Sequence, residues 1–309
     1  MTSPESPAST PGNAPTHEQR GALAALLDGD IAFNYPLAQR TSMRVGGSAS
    51  AYAEVKNVGR LVAVLSFCES EQIAWTMIGL GSNLLVPDAG FPGAVFRLAG
   101  DFVKITVDGT RVRAGGAAPI VSMCREAANA GLTGAEALVG IPGTVGGAVR
   151  MNAGTDVEIG AIVDRVEIVV AGERMQSFTR PEFAYRRSTL DRRAVVCAAE
   201  LVLEAGDPQA IKEELRRRID RRRASQPIEL PNSGSIFRNP PGDFAARLIE
   251  SAGCKGMRRG GAQVSEKHAN FIVNAGGATC ADVLALIDDV RQKVLERHAV
   301  PLELEVHVL

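Results

Sequence analysis

The sequence predicts an α+β protein of three units in series, and three observations carry that expectation. Strand- and helix-period segments are interleaved around a glycine turn over 35–100, short strand patterns dominate 101–205, and long helix-period segments mixed with strands fill 206–309. Residues 1–34 precede these units as a tail and one helix. A chain of 309 residues suits two or three modest domains better than one.

The elements follow in order. Residues 17–28 carry a helical stripe at Leu23, Leu26 and Leu27, stopped by Gly29. A loop holds T-S-M-R-V-G-G (Thr41 to Gly47). A strand is expected over 51–55, a helix over 58–70 with Leu61, Val62, Leu65 and Cys68 on one face, and an apolar strand over 74–78 that runs into G-L-G-S-N-L-L-V (Gly79 to Val86). Further strands are expected at 94–98, 103–107 and 111–114, then a helix at 119–130. Gly140 to Gly154 reads as irregular. Strands return at 163–170, 174–178 and 194–203. The last unit reads as a helix at 208–225, a loop at 227–235, helices at 243–252 and 279–298 flanking a strand at 270–273, and a final strand at 302–308.

Composition narrows the function classes. Hydrophobic content of 45% and charged content of 22% are ordinary for a globular protein, and a net charge of −1 argues for neither nucleic acid nor an acidic membrane surface as partner. The five cysteines are scattered without a C-x-x-C, so buried free thiols are expected rather than disulfides or a zinc site, and four dispersed histidines point to no metal. Residues 1–15 lack the basic and apolar regions of a signal peptide and read as a disordered tail, and no apolar run is long enough to span a membrane.

Glycines cluster where chemistry is expected. In G-L-G-S-N-L-L-V, two glycines, a Ser and an Asn can turn backbone N–H groups toward a pyrophosphate, although Leu84 stands where a dinucleotide fingerprint has its third glycine, so a plain tight turn remains open. G-I-P-G-T-V-G-G-A-V-R-M-N-A-G (Gly140 to Gly154) holds five glycines yet is too apolar for a surface loop, which favours backbone lying against a ligand. Y-R-R-S (Tyr185 to Ser188) is by itself a surface cation. P-N-S-G-S-I-F-R-N-P (Pro231 to Pro240) is a ligand loop or a turn. R-R-R-I-D-R-R-R (Arg216 to Arg223) reads first as a solvated helix face, with a diphosphate contact as the narrower alternative. L-E-L-E-V-H-V-L (Leu302 to Leu309) alternates like a half-buried strand, with Glu303, Glu305 and His307 on one face.

Taken in order from about Pro36 to Val308, these stretches resemble the UDP-N-acetylenolpyruvoylglucosamine reductases. T-S-M-R-V-G-G, G-x-G-S-N-L-L-V, G-I-P-G-T-V-G-G-A-V-x-M-N-A-G, Y-R-x-S, G-S-x-F-x-N-P, G-G-A-x-V-S-x-x-H-A-N-F and L-E-x-E-V carry the resemblance. It implies a two-subdomain FAD-binding module of the vanillyl-alcohol-oxidase (PCMH) type plus a C-terminal α+β substrate domain. It also implies bound FAD, NADPH as electron donor, a UDP-sugar substrate and a cytoplasmic step of peptidoglycan precursor synthesis; a monomer is expected. By resemblance FAD lies against Arg44, Gly79, Gly81, Ser82, Asn83, Leu84, Gly143, Thr144, Gly146, Gly147, Asn152 and Gly154. Arg186, Ser235 and Glu305 are the implied catalytic residues, with Ser235 the proton donor. Tyr185, Arg186, Arg223, Asn239 and His268 are the implied substrate contacts. Two departures stand out. T-D-V-E-I-G (Thr155 to Gly160) follows M-N-A-G where the family commonly has A-Y-G. The 49-position spacing from Arg186 to Ser235 resembles the shorter branch that lacks a Tyr-bearing loop over the substrate.

Overall fold

The structure is a computed structural model that describes residues 9–10, 12–171, 176–178 and 180–309. The first unit is a five-stranded sheet in the order Ser9–Thr10, Trp75–Ile78, Phe91–Leu98, Ser48–Val55, Ile31–Pro36. The three inner strands are parallel. A parallel pair needs a crossover, and here it is a helix. Two helices, α1 (His17–Leu26) and α2 (Val58–Ser70), press Leu23, Leu61, Val64 and Leu65 against Trp75 and Phe96. Each begins on a side-chain cap: Thr16 accepts from Gln19 N–H and Asn57 from Arg60 N–H. The disordered tail expected over 1–15 lies outside the described residues up to position 8. Beyond it, Ser9 and Thr10 pair with Thr76 and Trp75, and Asn13 bridges Ile73, so these three residues edge the sheet, while residue 11 also lies outside the described residues. The strand Ile31–Pro36 lies in what reads as loop.

The second unit is an antiparallel sheet ordered Gln176–Phe178, Val163–Val170, Ala194–Val202, Arg111–Gly115, Ile105–Asp108. Residues 174–175 of the strand expected at 174–178 lie outside the described residues. Helix α3 (Ile120–Asn129) covers the sheet. The stretch 140–154, expected to be irregular, contains a helix, α4 (Val145–Met151). Each mid-helix glycine costs about 1 kcal/mol. Burial of Val145 and Val149, both fully enclosed, and the Thr144 cap on Gly147 N–H offset that cost. The helix ends at Asn152, which adopts φ +43°. Helix α5 (Pro208–Ser225), expected with the third unit, packs Ile211 and Leu215 into the second core instead.

The third unit has a four-stranded sheet ordered Asn232–Ser235, Phe271–Asn274, Ala262–Val264, Arg258–Arg259, backed by α6 (Ala245–Ser251) and α7 (Cys280–His298). The loop expected at 227–235 therefore ends in a strand: Asn232 pairs with Val273 and Ser235 with Phe271. The glycines around 253–261 conceal the short hairpin Arg258–Arg259 and Ala262–Val264.

The continuous strand expected at 302–308 is instead divided between two partners. Arg238 N–H donates to Glu303 O and Glu305 N–H to Ile236 O, both in the third unit. Two residues later, His307 N–H donates to Asn83 O, and His307–Val308 pairs in parallel with Leu84–Leu85 of the first unit. The chain bends at Val306 between them. Glu303, Glu305 and His307 therefore do not share a face: they are exposed, half-buried and buried in turn. Glu305 lies where the polypeptide crosses between units. Other ties close the same seam. Ser42 Oγ donates to Asn232 O at 2.7 Å, and the Asp88 carboxylate accepts from the first two N–H groups of α7 at 2.8 and 2.9 Å. All five cysteines are buried free thiols.

Candidate active site

A cleft of about 360 Å³ opens between the units. One wall is the turn from Gly79 to Leu84, another is the run from Gly140 through α4, and the third is Ser233 to Ser235 with Glu305. The sequence brings these together through close backbone approach. A Cβ on Gly81 would stand 2.2 Å from Arg40 O, and one on Gly116 2.0 Å from Val196 O, so protein packing alone requires those glycines. At Gly140 and Gly143, a Cβ would meet nothing closer than 3.8 Å and 3.7 Å. No neighbouring protein group forbids a side chain there; a side chain would instead crowd the cleft. Ser82 Oγ donates to Pro142 O and joins the first two walls.

The donors fit an extended, multiply oxygenated cofactor. The N–H groups of Gly81, Ser82 and Asn83 donate to no acceptor among the described residues. Three successive amides without partners, on residues that line the cleft, suit a pyrophosphate. The start of α4 differs: Gly146 N–H is taken by Gly116 O and Val145 N–H by Ala118 O, so that helix end offers few free donors.

Opposite the glycine walls lies the charged centre. Arg186 occupies the tip of a two-stranded hairpin, Phe183–Ala184 and Arg187–Ser188, with φ +55°, a left-handed conformation that costs a non-glycine residue about 1–2 kcal/mol. That turn carries the guanidinium back into the cleft. Its Nε donates to Glu305 Oε1 at 2.9 Å and its Nη2 to Gly154 O at 3.0 Å, and Glu158 stands 4.0 Å away. The two side chains are 16% and 17% exposed. Burial pushes the Glu305 carboxyl above its ordinary value, outweighing the opposing pull of Arg186. Asn83 Nδ2 donates to Glu305 O at 3.0 Å, so the glycine turn itself holds the carboxylate-bearing backbone. Ser235 lines the same cleft.

Of the residues singled out in the sequence, Gly79, Gly81, Ser82, Asn83 and Leu84 line the cleft, as do Gly143, Thr144, Gly146, Gly147 and Gly154, together with Arg186, Ser235 and Glu305. Arg44, Asn152, Tyr185, Arg223, Asn239 and His268 are not among its lining. Arg44 is exposed. Asn152 is buried as a brace, bonded to Glu158, Ala184 O and Gly160 N–H. Tyr185 points outward under the Arg186 guanidinium, 5.0 Å from it. Asn239 accepts from Ala245 N–H at the start of α6. His268 packs edge-on against Phe271, and burial holds its pKa below the ordinary value.

The Arg216 to Arg223 run divides sharply. Arg217 and Arg218 pair with Glu214, and Arg223 faces solvent near Asp220. Arg222, which the sequence reading left within the run and did not single out, lines the cleft beside Gly140, and its Nε donates to Gln226 Oε1 at 3.0 Å. Burial lowers its pKa with no carboxylate to oppose the effect. Arg97 and His307 also line the cleft and were missed, as does Ser233, one of the two hydroxyls that the sequence left open between a ligand loop and a turn. The period of α5 alone could have found Arg222, because it lies seven residues after Leu215, on the packed face.

An FAD-binding domain family matches residues 49–178, and the C-terminal domain family of UDP-N-acetylenolpyruvoylglucosamine reductase matches residues 226–309. UDP-N-acetylenolpyruvoylglucosamine reductase 2 of Symbiobacterium thermophilum is 44% identical over 277 residues, 88% of this chain and 90% of that protein. The reductase of Heliobacterium modesticaldum is 44% identical over 281 residues, 89% of each. The crystal structure of the Thermus caldophilus reductase superposes with a TM-score of 0.78 at 36% identity, covering 90% of this chain and 97% of that one. With an FAD-binding domain joined to the reductase C-terminal domain, the chain belongs to the UDP-N-acetylenolpyruvoylglucosamine reductase family.

Proposed function

We propose that the chain reduces the enolpyruvyl group of UDP-N-acetylglucosamine enolpyruvate to give UDP-N-acetylmuramate, with FAD bound in the glycine-walled cleft and NADPH as electron donor, as a cytoplasmic step of peptidoglycan precursor synthesis. The observation that carries this reading is the Arg186–Glu305 pair, 2.9 Å apart and facing the same cleft as Ser235. When bound, FAD supplies the hydride chemistry. Gly81 to Asn83 offer amides to its pyrophosphate, and Gly140 to Gly147 leave room for a flat ring. The FAD-binding domain family matched over residues 49–178 supports the cofactor.

The chain's own groups supply the rest. Arg186 is a permanent cation and pairs with the enolpyruvyl carboxylate, stabilising negative charge that grows there. Glu305, with its raised pKa, holds a proton at the same carboxylate. Ser235 Oγ then gives its proton to the α-carbon, a task a weak acid performs only beside a carbanion-like centre. Arg222 replaces Arg223 as the proposed diphosphate contact, being the arginine of its run that reaches the cleft. Asn239, His268 and Tyr185 act behind this surface, holding loops rather than ligand.

The test is product analysis. Incubation of the purified protein with NADPH and the enolpyruvyl sugar nucleotide should yield a product two hydrogens heavier. Unchanged sugar nucleotide in the presence of bound flavin would overturn the reading.

A further inference from the structure

Ser233 has a property that the proposed chemistry leaves unused. Its residue is 1% exposed, its Oγ is buried, and that hydroxyl has no hydrogen-bond partner among the described residues. A buried hydroxyl left unpaired is costly, and such groups are few in folded proteins. Its surroundings do not look accidental. Asn232 is held by two side-chain donations, to Pro227 O and Leu230 O, and by Ser42 on its carbonyl. Asn232 Oδ1 in turn accepts from Gly234 N–H, and Gly234 adopts φ +75°. These bonds fix the backbone on both sides of Ser233, a residue that lines the cleft together with Ser235. Two serines two positions apart, one deeper than the other, thus border one ligand space.

We propose that Ser233 is a second hydroxyl ligand in this cleft, donating its Oγ hydrogen to a carbonyl or carboxylate oxygen of the bound molecule. It rests on the reading of the cleft as a flavin and sugar-nucleotide site. Two molecules there carry such oxygens, the flavin ring and the sugar nucleotide, and they are separable by experiment. Ser233 acts in binding, whereas Ser235 acts on the proton, so the two serines differ in what their loss does.

The experiment compares wild-type holoenzyme with Ser233→Ala and with Ser233→Cys, a near-isosteric weak donor that also serves if the alanine variant folds poorly. Flavin retention is read from fluorescence released on dilution, and UDP-N-acetylmuramate binding from perturbation of the flavin spectrum. Loss of the contact should weaken one of the two molecules roughly 5- to 20-fold, with Cys between Ser and Ala. Loosened flavin identifies the cofactor as acceptor; loosened sugar nucleotide identifies the substrate side. A merely structural hydroxyl would lower the urea midpoint without such selectivity. If both variants hold both molecules as the wild type does, the inference is wrong while the function stands. Wild-type protein that binds neither flavin nor sugar nucleotide overturns the functional reading and this inference with it.

Discussion

Two opposing effects meet on the Glu305 carboxyl. Burial raises the Glu305 pKa and Arg186 pulls it down, with burial the larger effect. The folded state therefore binds this proton more tightly than the unfolded chain does. Its contribution to stability is complete below the ordinary carboxylate value and is lost as pH rises through the raised folded value. The same proton serves the proposed reaction, so kcat should hold at low pH and fall as pH rises through that value. Glu305→Gln should remove the falling limb from the pH–rate profile while lowering kcat; a limb that persists in the variant would assign it to another group. Arg186→Gln should cut kcat about 100-fold or more, and Arg186→Lys should recover little, because a point charge cannot reproduce the fork that meets Glu305 and Gly154 O. At this scale the sequence was legible where a motif names one side chain and opaque where packing chooses between neighbours. Arg223 and Arg222 are adjacent in a run of like residues, and only the packing of Ile211 and Leu215 decides which one turns inward.

At the scale of elements, α4 and the glycine turn do the positioning. Thr144 caps α4 and packs its hydroxyl against Gly79, where an added Cβ would stand 2.9 Å away. Thr144→Ala should cost about 1 kcal/mol in urea denaturation and also loosen the flavin, since both cleft walls lean on that side chain. Stability lost without any change in flavin retention would separate the cap from the cleft. Long, strongly periodic segments were readable in advance: α2 spans the expected 58–70, and α7 begins one residue after the expected start. Short elements made by tertiary pairing were not. The α4 sequence contains two glycines, Ile31–Pro36 lacks clean alternation, and Asn232–Ser235 is built from turn-forming residues. Each is regular only because a neighbour supplies burial or hydrogen bonds.

For the whole molecule, the deciding feature is that the site belongs to no single unit. The glycine turn comes from the first, α4 and Arg186 from the second, and Ser233, Ser235 and Glu305 from the third. Asn83 makes the join explicit by bonding to Glu305 O through its side chain and to His307 N–H through its carbonyl. Sequence order gives the three units but not their seam, because hydrogen bonds across more than 200 positions leave no local pattern. A net charge of −1 provides no long-range attraction for an anionic sugar nucleotide, so any electrostatic recognition is local. Arg222→Gln should raise KM for the sugar nucleotide about 10-fold and flatten its dependence on ionic strength, whereas Arg223→Gln should change neither. Equal effects from the two variants would mean that the helix acts as a diffuse cationic surface. The most direct measurement of the central claim is an anaerobic visible spectrum of the wild type and of Ser235→Ala, recorded after NADPH and again after the enolpyruvyl sugar nucleotide. Both proteins should lose the flavin absorption with NADPH, and only the wild type should regain it with the sugar nucleotide. Equal recovery in both would contradict Ser235 as proton donor, and no flavin band in either would contradict the cleft as a flavin site.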